Sequence, residues 1–442
     1  MGLRKHALAA LRALWIGWVV LGCATPIHNR PAPDPPPQSQ HRNRGSEEIF
    51  LVLALSGGGT RAAALAYGVF EELAATRVRV GGRERRLLDE VDVIESVSGG
   101  SFLAAWYGLH GDETLSTFGE AFLYRDFETP LLLRMLSPVN WGRGRGEVAA
   151  RYYDGKLFHG ATLGDFRPEG PRVIITSTDL VGETHFSFDP DYFRAICSDL
   201  PGFPVAPAVA ASSAVPGAFS PIVLENHSAM CNGKPPSWIG TVLERSEIEG
   251  PSMEREWARN FAAYYESTRR YLHLLDGGIA GNQGLTIPLV REQELGGVRA
   301  LWQALGLEST RHLLMVVVNA SVPVPQERGQ RRSPPSTTEA LLDSSTVMVN
   351  RQSRDGIDRL RHHLEGWRRE LGRNGMGPRI ALAELSFVEL DDPEERKYFH
   401  SVPTSLSLER EQVDRLREVG RRLLRDNPAY RELLEAYEGP GR

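Results

Sequence analysis

The sequence is short of basic charge. Its 51 Lys and Arg are outnumbered by 56 Asp and Glu, for a formal net charge of −5. That balance excludes the positive field a nucleic-acid binder presents to phosphate. The Arg-rich piece Arg83–Arg86 has acids around it and reads as a solvated face. No His-Glu-x-x-His spacing and no Gly-x-x-x-x-Gly-Lys-Ser/Thr loop is present. No metal, and no cofactor, is therefore expected. Cysteine is scarce, with Cys23, Cys197 and Cys231 the full complement. Cys197 and Cys231 form a disulfide in an oxidising compartment, or stay as two buried thiols; composition leaves both open. The apolar run Ala13–Gly22 is too short to cross a bilayer comfortably. No internal repeat appears, and no domain linker after residue 48, so one large domain is expected.

What is there begins with a targeting segment. Arg4, Lys5 and Arg12 precede or enter the apolar run, which ends in Val20-Leu21-Gly22-Cys23. Small and aliphatic residues before a lone Cys resemble the lipobox of bacterial lipoproteins. The resemblance implies that residues 1–22 are removed and that Cys23 carries lipid, anchoring the protein in the cell envelope. Ala24, where many inner-membrane lipoproteins have Asp, points by the same resemblance to the outer membrane. An ordinary cleaved signal peptide and an uncleaved anchor are the alternatives. Residues 23–48, with Pro31, Pro33, Pro35, Pro36 and Pro37, read as an extended tether that cannot bury a core.

The folded chain opens on Ile49–Leu73. Leu51–Leu55 is a short apolar run of the kind that forms a buried parallel strand. Gly57, Gly58 and Gly59 follow, able to turn sharply and approach a ligand. Thr60 and the Ala-rich stretch after it start a helix. Strand, glycine loop and helix N-terminus together present free N–H groups to something negative, either a bound phosphate or a transient oxyanion. Val91–Val97 repeats the pattern, ending in Ser98-Gly99-Gly100 before a second helix. Two such units in a row predict α/β architecture with a mostly parallel sheet. Further strands are expected at Arg172–Ser177, Thr184–Phe188, Tyr271–Leu275, Leu313–Val318 and within Arg379–Leu390. A helical tail follows from Leu408. The apolar middle of Phe118–Trp141 is either core or a lipid-facing flap.

Ser98 stands at a sharp strand-to-helix turn with small neighbours, which projects its hydroxyl out of the fold. A helix N-terminus beneath favours developing negative charge. Ser96 occupies the position where a nucleophile elbow usually has Gly. Asp276 ends a strand and precedes Gly277 and Gly278, so its carboxylate is a candidate base. The ordered set Gly57-Gly58-Gly59-Thr60-Arg61, Ser98 and Asp276-Gly277-Gly278 resembles the patatin-like phospholipases. Ala211–Pro216 with Phe219 and Pro221, and 276–284, match as well, and the likeness spans roughly 49–410, with 411–442 left as a C-terminal helical extension. The resemblance implies an α/β/α layered fold and a Ser–Asp dyad without histidine. It makes Ser98 the nucleophile, Asp276 the base, and Gly57, Gly58, Gly59 and Arg61 the oxyanion-hole segment. It also implies a membrane phospholipid or related acyl ester as substrate. Arg61 has a second reading, since its charge opposes the helix dipole and a partner elsewhere serves equally well.

Three other readings remain. Gly57-x-Gly59-x-x-Ala62 fits a dinucleotide fingerprint, but the second strand ends in Ser98-Gly99-Gly100 where that fingerprint expects an acid. A Ser-His-Asp esterase would recruit His312, His362, His363 or His400. A lipid-binding lipoprotein without activity is the third.

Overall fold

Side chains of the central strands alternate between two core clusters with a period of two, and that alternation builds the layers. In β1 (Ile49–Leu55), Leu51, Leu53 and Leu55 join one core cluster and Val52 and Ala54 the other. In β9 (His312–Asn319), Leu314, Val316 and Val318 face the first cluster while Leu313, Met315 and Val317 face the second. Strands buried on both faces need helices above and below. The computed structural model describes residues 27–32, 45–231, 234–249, 253–266, 269–281, 292, 295–372 and 377–437. Cys23, the targeting segment and 282–284 lie outside the described residues.

The sheet has the order β10-β9-β1-β4-β5-β8-β7, with β6 (Thr184–Phe188) folded back on β5. β10 (Arg379–Ser386), β9, β1, β4 (Val91–Val97) and β5 (Arg172–Asp179) are mutually parallel. β8 (Tyr271–Asp276) is antiparallel to β5, and β7 (Ile222–Glu225) antiparallel to β8. A mostly parallel sheet between helical layers is the expected architecture. The polar stretch after the first helix is a small hairpin, β2 (Arg77–Val80) with β3 (Arg83–Arg86).

α1 (Thr60–Ala75) is buried along nearly its whole length. On one side it meets α2 (Gly99–His110); on the other it crosses α8 (Arg410–Asp426). At that crossing a Cβ on Gly68 would lie 2.0 Å from the Arg417 carbonyl oxygen, and one on Gly420 2.3 Å from that of Leu65. Backbone meets backbone there, and Arg425 and Arg421 reach Glu72 around the contact. The C-terminal tail, set apart by sequence, is therefore a layer of the domain: Val413, Leu416, Val419, Leu424 and Tyr430 belong to the principal core. The opposite layer includes a long helix, α6 (Thr337–Leu371), capped by a Ser336–Glu339 capping box and packed on the sheet through Ile357, Leu360, Leu364 and Trp367, beside the short helix Val298–Ala304.

The proline-rich tether is also corrected at its start. Asn29 is buried and bonds Ser198 Oγ and the Glu225 carbonyl, each at 2.7 Å. His28 Nε2 lies 2.9 Å from Glu147, and the Ala32 N–H donates to Cys197 O. Residues 28–32 thus dock on the body beside the Cys197–Cys231 disulfide.

Candidate active site

β1 and β4 deliver their loops side by side. Leu55 pairs with Ser96 across the parallel ladder, so Gly57–Gly59 and Ser98–Gly100 leave the same sheet edge together. The contact is close: a Cβ on Gly99 would sit 2.1 Å from Gly59 O, and one on Gly100 2.7 Å from Leu55 Cβ. Only glycine fits at either place. Ser98 itself has φ 50° and ψ −118°, in a region that disfavours a side chain. Its hydroxyl does not cap α2, whose N-cap it is, which leaves the oxygen free for another partner.

The group facing it across the cleft is Asp276. The Ser98 hydroxyl lies near enough to the Asp276 carboxyl to favour its charged form, and the Gly278 N–H donates to Asp276 Oδ1 at 2.9 Å. Asp276 arrives at the end of β8. β8 is antiparallel to its neighbour and runs inward from beyond the sheet edge, stopping where Asp276 pairs with Ser177. Val97 pairs with Thr176 one residue earlier on the same strand, so Ser98 and Asp276 meet at one level from opposite directions. Burial raises the Asp276 carboxyl to about 6; the Gly278 N–H and the Ser98 hydroxyl pull the other way without cancelling it. At neutral pH the group is mostly ionised, in the range a general base needs.

Ala211–Pro216, which begins in the last turn of α5 (Val205–Ser212), holds both groups. Ser212 Oγ accepts the Ser98 N–H at 2.8 Å and lies 2.9 Å from Ser101 Oγ. Two residues on, Ala214 O accepts the Asp276 N–H at 3.0 Å. Ser96 causes no strain at the elbow. Its hydroxyl donates to Ile174 O on β5 at 3.1 Å, and its O accepts from Thr176.

Arg61 is buried and fully engaged. It donates to Ala320 O at 3.0 Å, Val402 O at 2.7 Å and Thr404 Oγ1 at 2.9 Å, and burial lowers it to about 10. Its guanidinium packs under the glycine loop, 3.1 Å from where a Gly58 Cβ would be. Sequence reasoning missed the segment that completes this support. Ser405 O accepts the Thr60 N–H at 2.8 Å and closes over Gly59, while Glu128 bonds the Leu406 N–H and the Ser405 hydroxyl. Nothing in residues 402–406 taken alone signals a site, because the contact crosses more than 340 positions.

The two loops and Asp276 open into a cleft of about 640 Å³. Its walls are mainly apolar, including Phe102, Leu131, Met135, Phe219 and Val349. Gly57, Gly58, Gly59, Arg61, Ser98 and Asp276 all lie on its lining. Among the described residues no histidine does. His312 bonds Tyr437 at the far end of β9, His363 lies toward Glu292, and His400 sits behind Phe387. Nor do the described residues contain a His/Cys/Asp/Glu group suited to a metal.

Fold and site together define a layered α/β domain with a sharp serine turn opening into an apolar cleft. The chain belongs to the patatin-like phospholipase family, whose model matches residues 53–288, over half its length. Among solved structures it is similar to human GIVD cytosolic phospholipase A2, at 13% identity and a TM-score of 0.44. That likeness covers 88% of this chain and 60% of the human one. VipD from Legionella pneumophila is similar at 11% identity and a TM-score of 0.34, over 89% and 67% of the two chains. No curated protein matches.

Proposed function

We propose that this protein is a serine acyl hydrolase that cleaves a fatty-acyl ester of a membrane phospholipid or related lipid through a Ser98–Asp276 dyad. The observation that carries the reading is the Ser98 hydroxyl beside the buried Asp276 carboxyl and the glycine loop on one apolar cleft. Asp276 takes the hydroxyl proton as Ser98 Oγ attacks the ester carbonyl. The resulting oxyanion is held by N–H groups of the Gly57–Gly59 segment and by the positive end of α2. Collapse expels the alcohol, which takes the proton from Asp276, and leaves an acyl-Ser98 ester. Water, deprotonated by the same carboxylate, then releases the fatty acid. Arg61 acts by positioning, since its three bonds fix the glycine loop against 402–405.

Hydrolysis of a chromogenic fatty-acyl ester by the full chain tests this. Ser98→Ala and Asp276→Asn are each expected to lower kcat at least a thousandfold, and alanine at His312, His362, His363 and His400 to leave it within threefold. Activity retained by Asp276→Asn sinks the dyad. Loss on one of the histidine changes, with the fold intact, restores the Ser-His-Asp reading.

We infer also that the protein is lipid-anchored through Cys23 in the bacterial outer membrane. The Cys197–Cys231 disulfide supports an oxidising compartment. Incorporation of a labelled palmitate analogue, abolished by Cys23→Ser, is the expected result.

A further inference from the structure

Residues 129–146 leave the domain as a ledge over the cleft. They comprise most of α3 (Glu128–Leu136), a turn, and the start of α4 (Arg145–Tyr153). Five large apolar side chains stand in solvent: Leu132 at 50% exposure, Leu133 at 64%, Leu136 at 73%, Val139 at 80% and Trp141 at 66%. The segment has no Asp or Glu and three Arg, in a chain of net charge −5. Other arginines of this domain pair with carboxylates, among them Arg86, Arg151, Arg361 and Arg417. Among the described residues Arg134, Arg143 and Arg145 join no ion pair; they bond carbonyl groups and Asn140. Exposed Leu and Trp with unpaired Arg and no acid is the composition of a segment that lies in a membrane interface.

The ledge is continuous with the candidate active site. Leu131, Leu132, Met135 and Leu136 of the same helix line the cleft. Across the opening, α6 contributes Val349 to the lining and turns Val347 and Met348 outward at 53% and 45% exposure. Both lips of the cleft are therefore apolar outside as well as inside. The docked N-terminal segment meets the same region, because His28 bonds Glu147, two residues past Arg145. From Ile27 back to Cys23 is four residues, at most about 14 Å of chain.

We propose that 129–146 is a bilayer-docking surface, which seats the cleft mouth on an anionic lipid bilayer so that an acyl chain passes from the membrane to Ser98 without crossing water. This rests on the reading of the cleft as an acyl-ester site. Lipid at Cys23 would tether this same side of the molecule.

The test uses the full chain with the triple substitution Leu133→Ser, Val139→Ser, Trp141→Ser, none of which lines the cleft. On vesicles of 7:3 phosphatidylcholine and phosphatidylglycerol, acyl release is expected to fall at least tenfold, while turnover of a soluble short-chain ester stays within twofold. Equal loss on both substrates, or no loss on vesicles, overturns the proposal. Brominated-acyl lipid in the same vesicles supplies a readout that needs no activity. The quenching of wild type is expected to exceed that of Trp141→Phe, and identical quenching overturns the proposal even if every hydrolysis assay is negative. A dimer of the full chain that the triple substitution dissociates would assign the ledge to a second copy instead.

Discussion

Ser98 and Asp276 both sit in states that folding alone would not choose. Ser98 holds φ 50°, a conformation costing of order 1–3 kcal/mol for a residue with a Cβ. Ser98→Ala keeps that cost and Ser98→Gly removes it. Both are expected to be inactive, but Gly should be more stable than Ala by about 1 kcal/mol in urea unfolding. Asp276 is held near 6 by burial against 3.8 for a free carboxyl. The folded state thus binds its proton more tightly than the unfolded state does. Stability falls as pH rises from about 4 to 6, and above that range the buried charge costs about 3 kcal/mol. Asp276→Asn should stabilise the protein at pH 8 by up to that amount, with the gain vanishing near pH 4. The wild-type kcat/KM should fall tenfold per unit below about pH 6, since the base must be ionised. A stabilised, inactive Asn variant across a pH series of melting curves would show a carboxylate kept charged for a reaction rather than for the fold.

The elements that carry these residues were legible in sequence to different depths. β1, β4 and their loops were readable because one short stretch contains strand, turn and helix start, and each has its own local signal. Asp276 was readable as the end of a strand, but not its approach, since an antiparallel β8 and a parallel one have the same apolar pattern. Residues 402–406 were invisible, because their role lies wholly in reaching Gly59 and Arg61. The tail α8 was seen as a helix but not as a layer; a glycine such as Gly420 says nothing locally about Leu65 beneath it. The loop–loop contact gives a sharp prediction. Gly99→Ala forces a methyl within 2.1 Å of Gly59 O, so the two loops must part. Ester hydrolysis should drop more than a hundredfold, with a clear fall in Tm. Gly366→Ala, toward the C-terminal end of α6 with nothing within 4 Å of its new methyl, is the matched control. It should leave activity unchanged and raise stability by roughly 0.5–1 kcal/mol.

At the scale of the whole molecule, the family match ends at residue 288, yet the sheet does not. Beyond that point β9 pairs with β1, and β10 with β9. β1 would become an edge strand without them, with its N–H and C=O groups exposed on one side. The C-terminal helices matter as much. Val413, Leu416, Val419, Leu424, Tyr430 and Leu433 are all buried. At about 1.5–3 kcal/mol per buried side chain, these six contribute at least about 9 kcal/mol, comparable to the whole stability of a typical domain. Their removal also strips α1 of its cover, and α1 begins at the glycine loop. A chain ending at 410 is therefore expected to be unfolded rather than a smaller working enzyme, and one ending at 288 likewise. Loss of near-ultraviolet circular dichroism and rapid trypsin digestion, against a resistant full chain, are the expected results. A folded, active product from either truncation would show that the catalytic half stands alone and that the tail is an appendage.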